Sequence, residues 1–121
     1  MNTKPIVFAL ANPDPEITLD DAMEGGAYIY GSGRSDFKNQ INNSLVFPGI
    51  FRGIHMHNLP EITDEMKLFT SIVIAENLDR KPSRTHIILD SLDLDIPILI
   101  AEGLRKFRPV DAKDNNQVSK L

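Results

Sequence analysis

Four carboxamides crowd positions 39 to 43 of this chain: Asn39, Gln40, Asn42 and Asn43. A carboxamide donates and accepts hydrogen bonds but stays neutral, so the group can orient a polar ligand and cannot act as a general acid or base. A further amide, Asn12, ends the apolar run Pro5-Ile-Val-Phe-Ala-Leu-Ala11 and precedes Pro13. Open α/β sheets place ligands beyond the carboxyl ends of their strands, which makes Asn12 a candidate contact. The competing uses are structural: Asn-Pro starts turns, and Asn42 or Asn43 can cap a helix or a loop.

Other groupings carry less chemistry. Gly31-Ser-Gly33-Arg-Ser-Asp36 has two glycines after an apolar stretch, but Asp36 stands where a dinucleotide fingerprint has its third glycine. A glycine turn at a strand end describes it better. His55-Met-His57 would put two imidazoles on one side of an extended segment, without a third metal ligand nearby. Asp20 and Asp21 suit a helix start, Asp90, Asp93 and Asp95 a solvated loop, and Arg34 with Asp36 a local ion pair. No G-x-S-x-G, Walker A or H-E-x-x-H pattern occurs.

The elements that must position these residues follow from periodicity. The unbroken run at 5–11 predicts a parallel strand buried on both faces. Thr18 and Asp21 form a capping-box variant opening a short helix, closed by Gly25-Gly26. Residues 27–30, Ala-Tyr-Ile-Tyr, predict a second strand in which both tyrosines pack, completing a βαβ unit. The run Ser44-Leu-Val-Phe-Pro-Gly-Ile-Phe-Arg-Gly53 reads as a core segment bracketed by glycine. Residues 64–78 predict an amphipathic helix with a wide apolar face, Met66, Phe69 and Val73 on one row and Leu68, Ile72 and Ala75 on the next. Residues 85–89 read as a short strand or an extended linker, 96–107 as a third helix behind Asp95 and Pro97, and 109–121 as a polar, frayed tail. The fold class is α/β, a partial Rossmann-like (doubly wound) parallel sheet with flanking helices. With two or three strands it is about one half of a dinucleotide domain.

Composition sets the outer bounds. The 121 residues, 41% apolar and 25% charged, suit one soluble domain, and a net charge of −4 without a basic stripe speaks against nucleic acid or an anionic membrane as partner. The absence of cysteine removes disulfides, zinc–cysteine sites and thiol catalysis. The start resembles neither a signal peptide nor a membrane span, so the expected location is cytoplasmic.

Four stretches in register carry a resemblance: Phe8-Ala-Leu-Ala-Asn-Pro-Asp-Pro-Glu-Ile17, Gly33-Arg-Ser-Asp-Phe-Lys-Asn-Gln-Ile-Asn-Asn43, Phe47-Pro-Gly-Ile-Phe-Arg-Gly53 and Glu61-Ile-Thr-Asp-Glu-Met-Lys-Leu68. Along residues 4–76 the chain resembles the nicotinamide-binding domain of bacterial-type malic enzymes. That family oxidises malate at C2, passes hydride to NAD or NADP, and uses Mg²⁺ or Mn²⁺ to assist decarboxylation to pyruvate. The resemblance implies that Asn12 lies beside the nicotinamide and substrate, that Asn43 hydrogen-bonds malate and the nicotinamide end, and that Asn42 is its neighbour at the substrate. It also implies that Gly31 and Gly33 let the backbone approach the cofactor. Lys38 stands where the family usually has proline, and Gly53-Ile-His-Met-His-Asn-Leu-Pro-Glu61 departs from its usual pattern.

The same resemblance places the family's acid tyrosine, catalytic lysine, metal ligands and glycine-rich pyrophosphate loop upstream of the matching region. It therefore implies that residues 1–108 are the C-terminal portion of such a domain, inactive alone and completed by the remainder of a malic enzyme. The alternative is a non-catalytic α/β module that binds a nucleotide or a protein. Strands without sheet neighbours would expose apolar surface, which predicts a complex or a homo-oligomer.

Overall fold

The computed structural model describes residues 1–109. The expected tail, apart from Pro109, lies outside the described residues. Two parallel strands, β1 (Ile6–Ala9) and β2 (Ile29–Ser32), pair in the register Ile6 with Ile29 through Ala9 with Ser32. Between them runs α1 (Leu19–Glu24). Its cap is the one expected from local sequence: Thr18 Oγ1 accepts from the Asp21 N–H at 3.2 Å and donates to Asp21 Oδ2 at 2.7 Å. Ala9, Ala22, Ala27 and Tyr30 form a small core there, and the Tyr30 hydroxyl donates to Ile17 O at 2.9 Å.

Three helices build the larger core: α2 (Phe47–His57), α3 (Asp64–Glu76) and α4 (Asp95–Gly103), the last continuing into a 3-10 turn at Leu104–Phe107. Leu45, Ile50, Leu59, Met66, Val73, Leu89, Ile96, Ile100 and Leu104 meet in it. Helix α2 lies close on α4 because Gly49 and Gly53, one turn apart, leave room for Pro97, Ile100, Ala101 and Leu104.

Several expectations need correction. Strand β1 is buried on one face only: Ile6 is 58% and Phe8 51% exposed, because no element among the described residues packs over that side. Strand β2 starts and ends two residues later than expected and passes through Gly31, following its register with β1. The segment 44–53 is helical. Pro48 near the helix start and Val46, Ile50 and Ile54 at four-residue spacing are the local signals for it. His55 and His57 consequently sit on this helix, not on an extended segment, and two positions apart on a helix they diverge by about 200°. On α3 only the first apolar row packs inward; Leu68 and Ile72 are exposed. Residues 85–89 are not a strand but a linker beside one antiparallel bridge, Ser83 with His86. The acidic loop before α4 is folded by its own side chains: Asp93 Oδ1 accepts from the Asp95 N–H at 2.9 Å, and Asp90 Oδ1 from the Leu92 N–H at 2.9 Å.

Candidate functional site

Asn12 stands three residues past the carboxyl end of β1, Gly33 one residue past the carboxyl end of the adjacent β2. The two are in contact. A Cβ on Gly33 would lie 3.2 Å from Asn12 Nδ2 and 3.3 Å from its Oδ1, so the missing side chain is what allows the carboxamide to lie there. Gly31 is in a similar position one layer deeper, where a Cβ would meet the Phe8 ring at 3.0 Å and Ile41 at 3.1 Å. The close approaches that these glycines permit are thus to the chain's own side chains. Neither has a positive φ.

The amide cluster divides by task. Asn39 is buried and fully engaged: Nδ2 donates to Tyr30 O at 3.0 Å and to Arg84 O at 2.9 Å, while Oδ1 accepts from the Ile87 N–H at 3.2 Å. Gln40 Oε1 accepts from the Ser91 hydroxyl at 3.0 Å. Asn42 is exposed and caps the 3-10 turn Asn43–Leu45 through a 2.9 Å bond from the Ser44 N–H. Asn43 is exposed, with no side-chain hydrogen bond among the described residues. Two neutral amides, Asn12 and Asn43, therefore carry donor and acceptor groups free for a ligand, on the segments that follow β1 and β2. Sequence reasoning singled out both, and missed that Asn39 and Gln40 hold the loop.

The Ala11 N–H donates to both Glu16 oxygens at 3.1 and 3.2 Å, and backbone N–H groups hold the Glu16 carboxyl below its ordinary pKa. Arg34 grips Asp36 through two 2.8 Å bonds, which lower the Asp36 pKa and raise that of Arg34. This is the ion pair expected from the sequence.

The implied dinucleotide can be tested against these residues. Its nicotinamide end carries a neutral carboxamide, which suits exposed Asn side chains that both donate and accept. Its pyrophosphate end does not fit the β1–α1 turn. Residues 10–18 contain no glycine and two prolines, and Glu16 already occupies the Ala11 N–H. Among the described residues, Asn12 and Asn43 suit the nicotinamide end, and the β1–α1 turn does not suit the pyrophosphate. For a divalent ion, no group of three His, Cys, Asp or Glu side chains among the described residues could hold a metal. His57 Nε2 is instead 2.9 Å from Ala101 O, binding α2 to α4. A hollow of ≈520 Å³ is lined by Lys38, Gln40, His86 and Ser91 among others, and includes neither Asn12 nor Asn43.

Comparison with known proteins points to one family. The family described as "Malic enzyme, NAD binding domain" matches residues 1–101. The bifunctional malic/malolactic enzyme of Bacillus subtilis is 42% identical over 107 residues, 88% of this chain and 26% of that protein. The NAD-dependent malic enzyme of Geobacillus stearothermophilus is 52% identical over 89 residues, 73% of this chain and 18% of that protein. Among solved structures, malic enzyme from Pyrococcus horikoshii superposes with a TM-score of 0.81 at 42% identity, covering 88% of this chain and 24% of that one. NAD-dependent malic enzyme from Thermotoga maritima does so with 0.78 at 39% identity, covering 87% and 27%. The chain spans about a quarter or less of the length of these relatives. On the match over residues 1–101, the chain belongs to the malic enzyme NAD-binding domain family.

Proposed function

We propose that this chain supplies the nicotinamide and malate contacts of an NAD- or NADP-dependent malic enzyme, which converts malate to pyruvate and CO₂. Asn12 and Asn43 are the polar contacts to both ligands, with Asn42 beside them at the substrate. The observation that carries this reading is the seating of the Asn12 carboxamide on Gly33, across the carboxyl ends of two adjacent parallel strands. The cofactor, when bound, accepts the hydride. What these residues do is orient: a neutral amide can hold a carboxylate or a carboxamide in place without exchanging a proton, and holding hydride donor against acceptor removes much of the entropic barrier.

Acid–base groups, metal ligands and the pyrophosphate loop come from the rest of such an enzyme, so the chain alone is inactive. The open face of β1, with Ile6, Phe8 and Leu10 exposed, supports association with that remainder. A homo-oligomer of a non-catalytic nucleotide-binding module is the alternative use of the same face. The proposed setting is cytoplasmic. No helix of the described residues is long and apolar enough to cross a membrane.

Calorimetry with NAD, NADH and NADPH separates the two readings. The malic enzyme reading requires tight binding only when the upstream part of a relative, such as the Bacillus subtilis protein, is present. Tight binding to this chain alone would favour the nucleotide-binding module.

A further inference from the structure

The geometry points to Asn39 as a positioning residue for Asn43: a buried amide clamp that sets the exposed amide against the end of β2. This rests on the function proposed above and adds a residue that touches neither ligand. Asn39 is 3% exposed, yet its side chain makes three hydrogen bonds, to Tyr30 O on β2 and to Arg84 O and the Ile87 N–H on the linker before α4. Its carbonyl makes a fourth, accepting from the Ser32 N–H at 3.1 Å, and the Ile41 N–H donates to Ser32 O at 2.7 Å. The loop after β2 is thereby returned to the strand it left, two residues before Asn42. Asn42 then caps the turn that begins with Asn43.

Both Asn39 amide hydrogens point at carbonyl oxygens. Aspartate has the same size and keeps the acceptor for Ile87, but it removes both donors and sets a buried charge against two carbonyls. The loop then loses its side-chain bonds to Tyr30 O and Arg84 O and is left with the main-chain bonds to Ser32 and the Ile87 bond, so Asn43 is held less firmly.

The test uses the full chain assembled with the upstream part of the Bacillus subtilis relative, assayed for malate-dependent NAD or NADP reduction. Asn39→Asp, Asn43→Ala and the double variant are compared with the unaltered chain. The expected result is a malate KM raised about tenfold by Asn39→Asp with the cofactor KM raised as well, and little further loss when it is added to Asn43→Ala. A purely structural role would lower the amount of active enzyme at unchanged malate KM, or give additive losses; either overturns the assignment. If Asn39→Asp does not fold, Asn39→Ser is read in its place. If the unaltered assembly is inactive, the proposed function fails, and amide exchange on the chain alone still decides the clamp. Asn39→Ser should expose the Ile87 amide and shift the Asn42 and Asn43 resonances while α2 and α4 stay protected. Unchanged exchange and resonances would overturn it.

Discussion

Replacing Gly49 by alanine tests the packing that places the candidate site. Helix α2 begins directly after the 3-10 turn that carries Asn43, and it lies on α4 through Gly49 and Gly53. A Cβ on Gly49 would fall 2.8 Å from Ile100 Cβ, 2.8 Å from Pro97 O and 2.9 Å from Pro97 Cα. Two of those three atoms are backbone, so the helices must separate; a side chain cannot simply rotate away. Forcing one methyl into a packed interface costs about 1–3 kcal/mol, whereas glycine to alanine in a helix interior gains about 1 kcal/mol. Because the clash is with backbone, the upper part of the range applies, leaving a net loss of about 1–2 kcal/mol. With a urea m-value of about 1–3 kcal/mol/M, the unfolding midpoint should fall by roughly 0.3–2 M at unchanged m. Gly53→Ala would meet Leu104 Cδ1 at 2.7 Å and the Ala101 backbone at 3.1 Å, and should fall less because the nearest atom belongs to a movable side chain. A midpoint unchanged or raised by Gly49→Ala would refute the close α2–α4 contact, since only the helix-propensity gain would then remain.

Three further outcomes are expected. Thr63 caps α3 through the Met66 N–H at 3.3 Å, so Thr63→Ala should cost about 1 kcal/mol in the same urea experiment. Acid should destabilise the fold through Glu16, Asp36 and Asp64, each held below its ordinary pKa, Glu16 by backbone N–H groups, Asp36 by Arg34 and Asp64 by Lys67. A depressed folded-state pKa gives stability that is present above the unfolded value and lost as pH falls through the folded one, so the urea midpoint should be level at neutral pH and decline below about pH 4. These groups are exposed, so the decline is shallow, and Glu16→Gln should make it shallower. Asn12→Ala should leave the urea midpoint unchanged, because the side chain is exposed, while lowering kcat/KM of the assembled enzyme by about a hundredfold.

What was legible in the sequence was what local chemistry decides. The Thr18–Asp21 cap, the Arg34–Asp36 pair and the acidic start of α3 involve residues two or three apart, and each stands as read. The βαβ unit was legible for the same reason, since its two short apolar runs flank one capped helix. Burial was not. Nothing within Pro5–Ala11 reveals which neighbours its faces will have, so Phe8 was expected inside and lies half exposed. Nor could the amides be told apart, because Asn39 takes its partners from Arg84 and Ile87, 45 and 48 residues away. Helix α2 was obscured by its glycines, which read as brackets around a core segment and are in fact the contact surface for α4. The Malic enzyme NAD-binding family places the whole in one frame, yet this chain covers only 26% of its Bacillus subtilis relative.

The most direct measurement is malate-dependent reduction of NAD or NADP with Mg²⁺ or Mn²⁺, by this chain alone and mixed with the upstream part of that relative. Turnover in the mixture alone, strongly lowered by Asn12→Ala and by Asn43→Ala, is the predicted result. No turnover with both parts folded, or full turnover by both variants, would contradict the assignment of these amides to the nicotinamide and malate site.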